Sequence, residues 1–209
     1  MPLPRFQKLA ADKKRAILAA AAEEFGERGF AEASFNRVIE RAGISKGAMY
    51  YYFADKDDLY ETVLDTAITE WFAHVGMPSS ASTPAEFWRG CEETYERSLS
   101  FMLADPMNGA LCLAITRART RLEGHAALLE LGRRMHEWTT ALVHHGREIG
   151  AVRDDVPEAL MVEVAMSLIE AGDRWLATQI HALSPSEVGA TAKTMVGLMK
   201  RAATKGSQR

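Results

Sequence analysis

The stretch Ala42-Gly43-Ile44-Ser45-Lys46-Gly47-Ala48-Met49-Tyr50-Tyr51-Tyr52-Phe53 decides the fold. Gly43-Ile44-Ser45 reads as a tight turn, because the glycine accepts backbone conformations that a Cβ penalises. Lys46 to Phe53 follows as a very short helix. Upstream of the turn, Ser34 caps another short helix with Phe35, Val38, Ile39 and Ala42 on its buried side. Two short helices joined by a glycine-containing turn, with Ile44 filling the space between them, are the sequence form of a helix-turn-helix.

Working outward, a longer supporting helix precedes the pair. Ile17, Leu18, Ala21, Ala22 and Phe25 fall on one helical face, with Asp12 expected as its N-cap and Gly29 as its C-terminal stop. Phe30 is placed to fold back on that helix end. After the motif, Asp55 caps a fourth helix whose apolar stripe runs Leu59, Val63, Leu64, Ile68, Trp71 and Phe72.

The short helix after the turn carries chemistry. Ser45, Lys46, Gly47, Tyr50, Tyr51 and Tyr52 offer hydroxyls, an ammonium and a closely approachable backbone on barely two turns. Hydroxyls, lysines and helix N-terminal amides are what hold phosphates. Met49, Phe53 and part of Tyr52 read as core. Three consecutive tyrosines cannot all face inward on a helix, so at least one ring presents its hydroxyl outward, and DNA is the favoured partner.

The whole chain of 209 residues is 47% hydrophobic and 25% charged, ordinary globular composition that excludes wholesale disorder. Its net charge of −3 argues against coating nucleic acid by bulk charge. The balance is uneven, however. Residues 1 to 57 carry ten Lys and Arg against eight Asp and Glu, whereas the remainder carries 15 against 20. A mildly basic first domain and an acidic body are compatible with DNA at one end. Cys91 and Cys112 have no metal-like spacing, which fits a reduced, cytosolic compartment with both thiols buried. The longest apolar run, Ala16 to Ala22, is far too short to span a bilayer, so no membrane partner is expected.

Strand-like alternation is hard to find, and all seven prolines lie near the start or between helical stretches, so the fold is read as all-α. The expected domains are 1–57, a helix-turn-helix unit linked through the helix at about 55–75, and 58–209, a helical-bundle domain. Helical patterns follow from about Pro84 to Asp105, Asn108 to Arg121, His125 to Gly150, Pro157 to His181 and Pro185 to Ala203, with Thr83 a cap for the first of these. The tail from Thr204 reads as frayed.

The stretch from Ile17 through Glu24-Phe25 to Gly29-Phe30, followed by Ala42 to Phe53 and Lys56, closely resembles the N-terminal DNA-binding domain of the TetR family of bacterial transcriptional regulators. The resemblance covers roughly residues 12 to 65. It implies DNA contacts from Ser34, Asn36, Arg37, Ser45, Lys46, Gly47, Tyr50, Tyr51, Tyr52 and Lys56. Tyr50 and Lys56 would meet phosphates, and Asn36 and Arg37 suit adenine and guanine by donor and acceptor geometry. Phe35 stands where the family often has a small hydroxyl residue, and Ile39 where alanine is usual.

The resemblance also implies a C-terminal domain that dimerises through the last two helices and encloses a small-molecule effector. Leu160, Val164, Leu168, Ala171 and Trp175 make one stripe, and Val188, Ala192, Met195, Leu198 and Met199 the other. Trp88, Tyr95, Met102, Cys112, Met135, Trp138 and Trp175 are the effector-site candidates, since aromatic and methionine side chains line adaptable apolar sites. Asp173 and Arg174 add polarity beside Trp175, in a pocket or at the interface. His144-His145 is the only histidine cluster, and adjacent helical positions diverge, so no metal or other cofactor is nominated. No nucleophile elbow, phosphate loop or metalloprotease motif occurs, and no catalytic residue is nominated. A helical small-molecule binding protein and a helical-bundle enzyme, neither reading DNA, are the alternatives.

Overall fold

The computed structural model describes residues 4–76, 81–120, 125–179 and 182–205, and among these all regular structure is helical. The helices are α1 (Pro4–Gln7), α2 (Ala11–Glu32), α3 (Phe35–Ala42), α4 (Lys46–Tyr52), α5 (Lys56–Val75), α6 (Pro84–Ala104), α7 (Pro106–Thr120), α8 (Ala126–Glu148), α9 (Glu158–Gln179) and α10 (Val188–Ala203). They form two compact units, residues 1–70 with 104–130, and residues 71–103 with 131–209. The sequence reading divides the chain at 57/58, just after the motif. Compactness instead follows packing, which brings α7 into the first unit against α2.

In the first unit the caps dictate where each element begins. Ser34 Oγ accepts the Arg37 N–H at 3.4 Å, Ser45 Oγ accepts the Ala48 N–H at 3.1 Å, and Asp55 Oδ1 accepts the Asp58 N–H at 2.8 Å. Gly43 ends α3 in the left-handed conformation (φ 63°, ψ 31°), which closes the turn into α4. Asp12 is not the cap of α2. That helix starts two residues earlier, at Ala11 after Ala10, so Asp12 sits within the first turn and complements the helix N-terminus by charge. Gly29 (φ 73°, ψ 169°) breaks the helical path of α2, and its carbonyl accepts the Ala33 N–H. Phe30 then folds back, its ring centroid 5.0 Å from Tyr60, which itself lies 4.6 Å from Phe25. Ile17, Phe25, Val38, Met49, Phe53, Leu59, Val63 and Leu64 form the buried core around these rings.

Two contacts bring the later segment of this unit onto the first. α7 packs along α2 at Gly26, where a Cβ would lie only 3.1 Å from the Ala110 carbonyl oxygen. Glu61 of α5 accepts the Ala126 and Ala127 N–H groups at 2.9 and 3.0 Å, capping α8 from outside, and lies 3.1 Å from His125 Nδ1.

In the second unit, Thr83 and Glu86 cap α6 reciprocally. Phe87, Trp88, Val143, Val152, Met161, Val162 and Val196 form one buried cluster, and Leu99, Leu176, Val188 and Ala192 another. The expected last helix begins as a 3-10 turn, Pro185–Glu187, under a Ser184/Glu187 capping box, and becomes α10 at Val188. Thr204 and Lys205 are not frayed. Thr204 N–H and Oγ1 both donate to the Lys200 carbonyl, and Lys205 pairs with Asp154 at 2.5 Å. Residues 206–209, like His181 and Arg121, lie outside the described residues.

The close approach at Gly26 yields a test. Valine there should lower stability by about 1–3 kcal/mol through overpacking, although valine has the better helix propensity. Chemical denaturation of the variant measures this, and an unchanged or raised midpoint would contradict the packing.

Candidate nucleic-acid interface

Helix α4 has two opposite faces. Met49 is fully buried and so is its C-cap, Phe53, whereas Tyr50 and Tyr51 are each 50% exposed. Ser45, Lys46 and Gly47 are exposed at its N-terminus, and Tyr52 is half-buried. The expected outward hydroxyls are therefore those of Tyr50 and Tyr51. Phe35, the departure from the family pattern, packs edge-on against Tyr50 with centroids 5.2 Å apart, and Lys46 Nζ stands 6.0 Å from the Tyr50 centroid. The phenylalanine thus trades a hydroxyl for a prop that orients Tyr50. Ile39 is buried between the short helices, and Asn36 is exposed on the first turn of α3.

Arg37 is engaged within the fold. Its Nε and Nη2 reach Glu24 Oε1 at 2.8 and 2.7 Å, and Nη2 also donates to the Glu32 carbonyl. Glu24 has no exposed surface, and its Oε1 also accepts the Ser34 N–H at 2.9 Å. Arg41 lies 3.7 Å from Glu24 Oε2 and 2.8 Å from Glu27, and Arg28 lies 3.7 Å from Glu24. Burial pushes the Glu24 carboxyl up, but the hydrogen bonds from Arg37 and Ser34, with the charges of Arg37 and Arg41, outweigh it and hold the group below its ordinary value. The guanidinium of Arg37 is turned to this carboxylate, so in this structure Arg37 holds α3 against α2. The signal for Glu24 was present in the sequence: it falls three residues after Ala21 and seven after Ile17, an acid on an apolar face, matched by arginines spaced i, i+4 on α3.

Lys56 is likewise committed within the fold. Its ammonium donates to the carbonyls of Phe30, Ala31 and Ala33 at 2.8, 3.4 and 3.3 Å and covers the Phe30 ring at 4.5 Å. Three donors on three carbonyls close the end of α2, so in this structure the ammonium is engaged by the fold.

The effector candidates are divided between the two units. Cys112 belongs to α7 and the first unit, whereas Trp88, Tyr95, Met102, Met135, Trp138 and Trp175 belong to the second. Trp88 and Met135 are buried core, and Trp175 is 48% exposed. Tyr95 and Met102 pack against the cluster of Leu99, Leu176, Val188 and Ala192. Burial raises the Tyr95 phenol well above its usual range, with Asp173 adding to it, and pushes the Cys91 thiol up to about 12. Among the described residues no group of three His, Cys, Asp or Glu is placed to hold a metal ion, and no single helix is long and apolar enough to cross a membrane.

Comparison with known proteins bears directly on this two-faced helix. The family model for bacterial regulatory proteins, tetR family, matches residues 17–63, the span from α2 into α5. Over that span the chain is similar to the DNA-binding segment of the TetR family. It is similar to the HTH-type transcriptional regulator RutR of Escherichia coli K12, 41% identical over 61 residues, and to the HTH-type transcriptional repressor BepR of Brucella suis, 36% identical over 58 residues. These matches span 29% and 28% of each relative's length and the same shares of this chain. The fold extends further: a TetR family regulator from Chloroflexus aurantiacus superposes with a TM-score of 0.72 at 21% identity, covering 99% of this chain and all of that one. SmeT of Stenotrophomonas maltophilia, described as the repressor of a multidrug efflux pump, does so with 0.69 at 13% identity over 97% and 94% of the chains.

Within this first unit, Glu24→Ala strands the Ser34 N–H and the Arg37 guanidinium and should cost about 1–3 kcal/mol on denaturation. Because the folded carboxyl is held below its unfolded value, near 4.3, its stabilisation is complete above that pH and disappears as pH falls through the folded value. Glu24→Gln should flatten that acid limb; an identical acid limb in the variant would refute the assignment. For Lys56, substitution by methionine keeps the apolar stem but removes the ammonium. It should lower stability by about 1–2 kcal/mol while leaving the salt dependence of DNA binding unchanged. A loss of salt dependence would return Lys56 to the phosphate-contacting set.

Proposed function

We propose that this chain is a homodimeric transcriptional repressor that binds a pseudo-palindromic operator and is released by a small-molecule effector. The observation that carries the reading is the outward face of α4: Tyr50, Tyr51 and Lys46 exposed on a helix whose other face is fully buried. Two such helices, one per subunit, enter successive major grooves. Ser45, Gly47 and Tyr50 meet phosphates at the helix start, while Asn36, Lys46 and Tyr51 face base edges and Tyr52 lies beside them. Ser34, whose oxygen caps α3, retains its O–H for a phosphate.

Leu160, Trp175 and Leu198 support the dimer, since all three are large apolar side chains about half exposed on α9 and α10. Val188 and Ala192 of the same expected stripe are buried within the subunit and belong to its own core. For the effector, the support is the Tyr95 hydroxyl, which is buried in the second unit without a hydrogen-bond partner among the described residues and is a polar group that a ligand would satisfy. Such a regulator works in the cytoplasm and performs no catalysis.

Selection of bound duplexes from random DNA tests the reading. A two-fold-symmetric site should be enriched, bound by two chains and weakened by salt, and Tyr50→Phe should reduce its affinity roughly tenfold, about 1.4 kcal/mol. Binding that is indifferent to sequence, or absent at low salt, would overturn it.

A further inference from the structure

The four-residue helix α1 lies against the recognition helix, and one side chain fixes it there. Phe6 is buried, with its ring 4.7 Å from Phe53 and 6.3 Å from Tyr52. Its neighbours close the turn: Lys8 N–H donates to the Arg5 carbonyl, Leu9 N–H to that of Phe6, and the Lys14 ammonium to that of Gln7 at 2.7 Å. With Phe6 inserted between α1 and α4, Arg5 is laid over the outward face of α4. Its guanidinium carbon stands 4.3 Å from the centroid of the Tyr51 ring.

The surroundings of Arg5 set it apart within its unit. Arg15 meets Asp105, Arg28 and Arg37 meet Glu24, and Arg41 meets Glu27. Arg5 is exposed, and among the described residues no carboxylate pairs with it. Stacking uses the face of a guanidinium and leaves its in-plane N–H fork unoccupied, the geometry that accepts two oxygens of one phosphate. A preoriented, unneutralised fork therefore sits on the ring that the proposed function turns toward DNA.

We propose that Arg5 contacts a backbone phosphate of the bound duplex, so that α1 is part of the DNA interface and Phe6 is the residue that positions it. This rests on the reading of α4 as the recognition helix. The contact adds affinity without sequence information, because a phosphate is the same at every step of the duplex.

The test uses the full-length protein and two labelled duplexes, the one enriched in the selection and a scrambled version of it, titrated between about 50 and 200 mM salt. Arg5→Ala should lower the slope of log affinity against log salt by roughly 0.9 per subunit, about two per dimer, with equal proportional loss on both duplexes. Arg5→Lys should keep most of the slope. Phe6→Ala should reproduce the loss, and combining it with Arg5→Ala should add none; if Phe6→Ala fails to fold, Arg5→Ala decides alone. A wild-type slope in Arg5→Ala overturns the inference while leaving the DNA-binding reading intact, as does a loss confined to the enriched duplex, which would make Arg5 a base reader. A wild-type protein that binds neither duplex overturns both.

Discussion

A carboxylate with no exposed surface is stable only if cations and hydrogen-bond donors replace the water it has lost. Glu24 meets that requirement by gathering the Ser34 N–H, the Arg37 guanidinium and the charges of Arg28 and Arg41 around one side chain of α2. Ser34 is also the cap that starts α3, and Arg37 and Arg41 lie on that helix, so the same interaction fixes where α3 begins and how it lies on α2. The turn at Gly43 then starts α4 from a fixed point. The exposure of Tyr50 and Tyr51 follows from this chain of constraints, since Met49 and Phe53 are drawn into the core that α2 and α3 enclose.

The cations of the first unit divide by what they face. Arg37, Arg41 and Lys56 are turned to groups of the protein itself: two carboxylates and a row of carbonyls. Lys46 and Arg5 instead lie over the exposed rings of Tyr50 and Tyr51. An aromatic ring orients a cation without neutralising it, whereas a carboxylate does both. Two exposed cations of this unit are thus oriented by tyrosines and keep their charge, although the chain as a whole has a net charge of −3.

Much of the first unit was legible in the sequence because its signals are local. Ser34 and Asp55 cap where the spacing placed them, Gly43 turns where a positive φ is needed, and the apolar stripe of α5 is buried from Leu59 to Ile68. What the sequence left out were the internal partners of Arg37 and Lys56: a cation that grips the fold has the same sequence signature as one that grips phosphate. The effector candidates were equally ambiguous, because a tryptophan at helical spacing can be core, like Trp88, or surface, like Trp175.

The sequence by itself determined that the chain is helical, where the motif's helices start and stop, and which family its first domain resembles, because caps, glycine turns and 3.6-residue periodicity act over a few residues. Only the tertiary structure decided which cations are free, that α7 packs on Gly26, that Phe35 props Tyr50, and that Phe6 sets Arg5 over Tyr51. Those outcomes depend on side chains brought together from distant positions, and no local pattern encodes which donor reaches which acceptor.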